Sequence, residues 1–285
     1  GIEDQEDYNN RSRAAAFIGT LQASYTDFHY LRPEWKRTTE AEALIGVGQT
    51  GIASMSTEKL SERRAADAVV EENKLVAALL GINPAARTTT VKPSGTSSLV
   101  LGCSSGIHAW HNDYYIRRIR IGKNEALYTY LAEALPELVE DDVFNPAGAV
   151  LSFPQKAPEG AVLRTEPPIN LLERVRQYNL DWVRHGHVSG ENTHNVSCTI
   201  SIKDEEWADV TDWMWYNRNE YNGISVLPYD GGTYVQAPFE DCTKETYEEM
   251  LQHLKAVDLT QVKETEDNTD LAGEVACSAN GCEVA

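Results

Sequence analysis

Between Ala43 and Leu227, short apolar runs alternate with stretches of helical period, and glycine or proline punctuates most changes of period. That alternation limits the fold more than any other feature. Strands that alternate with helices form α/β architectures, and they favour parallel pairing through right-handed crossovers. Ala43–Val47 is a short apolar run closed by Gly46, Gly48 and Gly51. A long helix follows, capped by Ser56 or Thr57 and ended by Gly81. A second loop, Arg87 to Gly95, runs into the apolar segment Thr96–Leu101.

The rest of the chain keeps this rhythm. Arg13–Tyr30 carries small and aromatic residues at helical spacing and stops before Pro33. Tyr115–Ile121 alternates with arginines as a half-exposed strand does, Asn124–Leu135 reads as a helix, and Pro154–Pro168 reads as loop. Ile169–Arg184 is amphipathic. Asn195–Ile202 reads as a strand, Asp204 caps an aromatic helix through Met214, and Ile224–Leu227 is another short strand. From Asp258 onward the composition turns to Thr, Glu, Asp and Asn, too polar to repay ordering, so 258–285 is expected to be a flexible acidic tail after a folded body over 1–257.

The 285 residues, 41% of them hydrophobic, suffice to bury the core of one large domain or two smaller ones. No run approaches the roughly 18–20 apolar residues that span a bilayer, so the expected location is the cytoplasm. A formal net charge of −19 argues against a broad nucleic-acid surface, because phosphate backbones are held by Lys and Arg; any phosphate here is held locally. Five cysteines, an odd number, fit reduced thiols better than a secreted disulfide framework. The opening Gly1-Ile2-Glu3, without Met, is expected of a processed, truncated or downstream piece of a longer polypeptide.

Three segments are candidates for chemistry. Gly46-Val47-Gly48-Gln49-Thr50-Gly51 is a literal GxGxxG after a strand, but the expected helix starts too late for a dinucleotide site, and a tight strand-to-helix turn accounts for it as well. Lys92-Pro93-Ser94-Gly95-Thr96-Ser97-Ser98 places hydroxyls and a glycine at the head of an apolar segment. It reads either as an ordinary Ser/Thr cap or as a phosphate site made of free N–H groups and hydroxyls. Cys277 and Cys282 lack the further ligands of a zinc site and read either as incidental or as a dithiol on a tether that exchanges with a buried disulfide. His108, His111, His185, His187 and His194 show no paired carboxylate pattern of a metal site, and Cys103, Cys198 and Cys242 read as small packed residues.

Taken together, Phe17–Ala23, Ala43–Gly48, Thr90–Thr96, Gly106-Ile107-His108 and Leu227-Pro228-Tyr229 resemble the adenosylcobalamin-dependent (class II) ribonucleotide reductases along nearly the whole chain. The resemblance implies the C-terminal half of a ten-stranded α/β barrel with a flexible tail. It implies that Pro93, Ser94, Gly95, Thr96 and Ser97 hold the substrate phosphates, and that Cys277 and Cys282 are the redox-active pair that re-reduces the active-site disulfide at the expense of thioredoxin or a similar protein. In the complete enzyme, adenosylcobalamin generates a thiyl radical that abstracts the ribose 3'-hydrogen, and the ribonucleotide loses its 2'-hydroxyl as water. The radical cysteine stands in an Asn-x-Cys-x-Glu setting in that family. No cysteine here does, so it is expected in an N-terminal half. A class I large subunit shares the turn and the tail but should offer a late tyrosine pair, and the adjacent pair here, Tyr114-Tyr115, comes early. A non-catalytic nucleotide-binding or thiol-relay subunit and, more distantly, a nicotinamide dehydrogenase complete the alternatives.

Overall fold

The computed structural model describes residues 1–54, 60–229 and 234–264. In chain order its elements are α1 (Gln5–Ala23), α2 (Pro33–Glu42), α3 (Glu62–Leu80), α4 (Thr96–Leu101), β1 (Tyr114–Gly122), α5 (Ala126–Ala134), β2 (Val139–Asp141), β3 (Gly148–Lys156), α6 (Pro168–Tyr178), β4 (Cys198–Ile202), α7 (Trp207–Tyr216), β5 (Ile224–Pro228), β6 (Phe239–Asp241) and α8 (Lys244–His253). They divide into two compact units. The first is Gly1–His108 with Glu166–Pro228; the second comprises the described residues of Ala109–Thr165 and Tyr229–Ala285.

In the first unit α1 packs along α3. The first helix starts earlier than its apolar spacing indicates, at Gln5, because Asp4 caps it: Asp4 Oδ1 accepts from Asp7 N at 2.9 Å. It ends at Ala23 rather than near Tyr30. The long third helix starts later than expected, since Ser61, in extended backbone, is its cap and receives Arg64 N. The proposed caps Ser56 and Thr57 lie outside the described residues. Against these helices run four extended segments side by side and parallel. Val47 bridges Thr89, Val91 bridges Val196, and β4 pairs with β5 in the register Cys198↔Ile224. Their inward side chains, with Ile107, Leu172, Tyr178 and Trp182, form one core. The apolar runs at 43–47, 195–202 and 224–227 therefore read correctly as the strand-like part of an α/β unit.

The second unit departs from the expected parallel pairing. Its sheet has the order β2-β3-β1-β6, and every neighbouring pair is antiparallel. Short connections explain this: β2 and β3 are joined by a few residues turned at Asn145, whose carbonyl accepts Gly148 N at 2.8 Å, and so short a link does not carry a parallel crossover. The central strand β3 reaches into the segment expected to be loop, because Pro154 argues against a strand interior. The structure accommodates it: β2 pairs only with Ala149–Leu151, so at Pro154 the strand has a neighbour on one side alone. Among the described residues neither sheet closes on itself, and no helix is long and apolar enough to cross a membrane.

His111, on the segment leading into β1, lies against Phe239 with ring centroids 5.4 Å apart and is largely enclosed. Burial pushes its pKa down to about 4, with the Arg164 guanidinium adding to the shift and Asp241 opposing it. The unfolded imidazole, titrating near its ordinary value, binds more protons than the folded one across the interval between the two. Stability contributed by the neutral ring is therefore full above about pH 6.5 and is lost as the pH falls toward 4. Lowering the pH through this window is expected to remove about 3 kcal/mol from this unit, and His111→Phe should flatten that slope. Denaturant midpoints of both proteins at several pH values check this; parallel pH profiles would contradict it.

Candidate functional site

The site forms where neighbouring parallel segments end. The loops leaving residues 45–47 and 87–91 emerge at the carboxyl edge of the same segments, where α/β sheets place their ligands. The approach through 87–91 is locked by three threonines. Thr88 Oγ1 donates to the Gly186 carbonyl at 2.8 Å, Thr89 Oγ1 to the Trp182 carbonyl at 2.6 Å, and Thr90 Oγ1 to the Asn195 carbonyl at 2.9 Å. Trp182 Nε1 returns a bond to the Thr90 carbonyl at 3.0 Å. A strand whose hydroxyls are all committed to neighbouring backbone presents its following turn in one position.

That turn is Pro93–Ser97. Ser94 N donates to Ser105 Oγ at 3.0 Å, and Ser97 N to the Ser94 carbonyl at 3.2 Å. Gly95 sits at φ 50°, ψ −121°, a backbone state that a Cβ strains, and α4 starts at the next residue. Pro93, Gly95 and Ser97 are exposed, Ser94 is half-buried, and Ser98 is buried. Ser97 Oγ donates to the Ser94 carbonyl at 2.7 Å and Ser98 Oγ to the Gly95 carbonyl at 2.8 Å. A serine hydroxyl has a single proton, so both hydroxyls hold the turn rather than face outward as donors. With Ser94 N and Ser97 N already bonded, the main-chain donors left open at this helix start are the N–H groups of Gly95 and Thr96.

The GxGxxG segment is the other wall. It does not open a helix, since α3 begins only at Glu62. Instead it packs on the loop after α4: Gly51 N donates to the Ser104 carbonyl at 2.8 Å, Ile52 N to the Gly106 carbonyl at 3.2 Å, and Ala53 N to Ser104 Oγ at 3.1 Å. Thr50 Oγ1 lies 2.6 Å from Ser94 Oγ, so the two loops meet at a pair of hydroxyls. His108 then ties this loop to β4. Thr199 N donates to His108 Nε2 at 3.2 Å while Nδ1 lies 3.1 Å from the Ser105 carbonyl, an arrangement that needs the neutral ring with its proton on Nδ1. Burial lowers the pKa of His108 and keeps that tautomer uncharged.

The turn expected at Pro93–Ser97 lies at this edge, and the structure brings to it Thr50 and His108, which the sequence offered without this role, and Ser105, which it did not single out. The available signal was a hydroxyl inside the glycine loop and a Gly-Ile-His turn shortly after the serine-rich one. Cys277 and Cys282 lie outside the described residues. Of the other thiols, Cys198 is buried and Cys103 and Cys242 are half-buried. Among the described residues no group of three His, Cys, Asp or Glu side chains is arranged to hold a metal ion.

No family model matches the chain. It is similar to the adenosylcobalamin-dependent ribonucleoside-triphosphate reductase of Lactobacillus acidophilus, with 30% identity over 221 residues, covering 76% of this chain and 29% of that protein. The protein of the same name from Euglena gracilis is 28% identical over 266 residues, covering 87% of this chain and 35% of its own. A crystal structure of a B12-dependent (class II) ribonucleotide reductase matches with a TM-score of 0.58 at 29% identity, over 70% of this chain and 27% of that one. The chain belongs to the class II ribonucleotide reductases. It spans about 29% of the length of the Lactobacillus reductase it matches. Within a class II reductase the glycine loop has no need of a dinucleotide role, and its contacts to Ser94, Ser104 and Gly106 describe a supporting wall.

Proposed function

We propose that this chain supplies the C-terminal part of the barrel, the substrate-phosphate turn and the disulfide-reducing tail of a ribonucleotide reductase that converts ribonucleotides to 2'-deoxyribonucleotides by a thiyl-radical mechanism. The observation that carries the reading is the Pro93–Ser97 turn. In a chain of this family, it stands at the carboxyl edge of parallel segments, with the N–H groups of Gly95 and Thr96 left open and the hydroxyls of Ser97 and Ser98 bonded back to the turn's own carbonyls. Ser94, Gly95, Thr96 and Ser97 then form the phosphate turn, with the N–H groups of Gly95 and Thr96 as its open donors, without any need for net positive charge. The relatives are named as triphosphate reductases, which favours a nucleoside triphosphate as the substrate. The expected setting is the cytoplasm, with thioredoxin or a similar protein as reductant.

Adenosylcobalamin is the cofactor in the relatives' names. Two open grooves among the described residues measure about 620 and 590 Å³, one rimmed by Arg63, Glu173 and Arg176 and the other by Ile18, Tyr25 and Leu44. Clefts of roughly 300–1,000 Å³ enclose drug-sized ligands, and adenosylcobalamin is far larger. These residues do not fit it, and the cofactor platform and the radical cysteine are assigned to sequence beyond this part of the enzyme.

Ribonucleotide reduction assayed with adenosylcobalamin and dithiothreitol tests the proposal, using this chain alone and then mixed with the upstream part of a class II reductase. Activity is expected only in the mixture. Activity of the chain alone would show that the radical cysteine has been misplaced. No activity in a mixture shown to associate would favour a non-catalytic nucleotide-binding or thiol-relay subunit.

A further inference from the structure

Thr50 Oγ1 has three oxygen or nitrogen neighbours within hydrogen-bonding distance, the Ser104 carbonyl oxygen at 2.8 Å, Gly106 N at 3.1 Å and Ser94 Oγ at 2.6 Å, with the weakly donating Cys103 thiol farther off at 3.9 Å. A threonine hydroxyl has one proton and two lone pairs. The Ser104 carbonyl only accepts and the Gly106 N–H only donates, so the Thr50 proton goes to Ser104 and one lone pair receives Gly106. The remaining lone pair takes the proton of Ser94 rather than that of the more distant Cys103 thiol, because two oxygens 2.6 Å apart need a proton between them. The direction of the whole chain is thereby determined, from Ser94 through Thr50 to the Ser104 carbonyl. Ser94 has no second proton to offer outward, and its bond to Thr50 ties the side chain of the turn to the glycine loop.

Resting on the phosphate-turn reading above, we infer that Thr50 is a positioning residue for the nucleotide polyphosphate. It holds the Ser94 hydroxyl to the glycine loop, so that the open main-chain N–H groups of Gly95 and Thr96, and not that hydroxyl, meet the phosphate oxygens. Thr50 belongs to a different loop from the turn, it is the point at which that loop reaches the Ser94 side chain, and its other bonds go to Ser104 and Gly106 in the loop after α4. Valine, of the same shape, keeps the packing but abolishes all three bonds. Serine keeps the hydroxyl.

Titration of the full 285-residue chain with CTP, followed by the amide resonances of Gly95–Ser97, tests this. Thr50→Val is expected to weaken CTP binding about tenfold, and Thr50→Ser to remain within about threefold of the wild type. Ser94→Ala should also weaken it, and the double variant Thr50→Val/Ser94→Ala should bind no more weakly than Thr50→Val, because both changes act through one bond. A merely structural role would not produce this rescue together with this non-additivity. Wild-type affinity in Thr50→Val, or additive losses in the double variant, would overturn the positioning role while leaving the phosphate turn in place. If Thr50→Val fails to fold, unchanged CTP binding by Ser94→Ala overturns it equally. Wild-type resonances of Gly95–Ser97 that ignore CTP would remove the phosphate turn itself and this inference with it.

Discussion

Gly106→Ala is expected to destabilise the first unit by about 3–4 kcal/mol and to abolish nucleotide binding at the turn. Two costs add at this position. The backbone is left-handed, with φ 55°, which for a residue with a Cβ costs about 1–2 kcal/mol. A Cβ would also stand 2.5 Å from the Lys92 carbonyl oxygen, 3.1 Å from its carbon and 3.5 Å from Pro93 Cα. These are main-chain atoms, so no side chain can rotate away, and the segment entering the turn must shift. That shift would strain Ser94 N to Ser105 Oγ and Gly106 N to Thr50 Oγ1, the bonds that hold the turn to its neighbours.

Gly95→Ala provides the contrast. An added Cβ there meets nothing within 4 Å, although φ is 50°. Its cost is backbone strain alone, about 1–2 kcal/mol, with the loss concentrated in nucleotide affinity. Denaturant unfolding of both variants, read at Trp182 in the first unit, separates the two cases. Equal stability of Gly106→Ala and Gly95→Ala would show that the close approach of Gly106 to Lys92 does not exist in solution.

Much of this site was legible because its determinants are local. Proline, glycine and serine in immediate succession after an apolar approach announce a turn, and Pro93–Ser98 forms one. The strands at 195–202 and 224–228 were legible for the same reason, since a short apolar run surrounded by polar residues has few other uses. What escaped is what depends on a second segment. Thr50 means nothing until Ser94, Ser104 and Gly106 are brought to it from far along the chain. The first half of α1 is too polar to show a buried stripe, yet Tyr8, Asn9 and Ser12 are buried there by α3 and its neighbours. Pro154 obscured β3 because the rule against proline in strands assumes neighbours on both sides, and here the other neighbour stops short.

Cys277→Ser is expected to abolish multiple turnover of the completed enzyme with a protein reductant and to spare turnover with dithiothreitol. In the proposed cycle the active-site disulfide, formed when each ribonucleotide is reduced, receives two electrons and two protons from the tail. A tail thiolate attacks one sulfur of that disulfide, the second tail thiol resolves the mixed disulfide, and the Cys277–Cys282 bond that forms is reduced by thioredoxin. Such exchange needs a thiol that ionises near neutral pH and can travel. Two of the cysteines in the folded body are poor candidates. Burial pushes the Cys198 thiol up to about 12 against a small opposing effect of Arg174, and burial with the adjacent Asp241 and Glu240 raises Cys242 as well. Serine at 277 removes one half of the exchange while leaving the radical chemistry, the phosphate turn and the active-site thiols intact. Dithiothreitol reaches the active-site disulfide directly, so single and multiple turnover with it should match the wild type. Cys282→Ser should behave alike, since neither thiol forms the disulfide alone. A loss of the same size with both reductants would mean that Cys277 acts within the active site or in folding, and the shuttle would have to be abandoned.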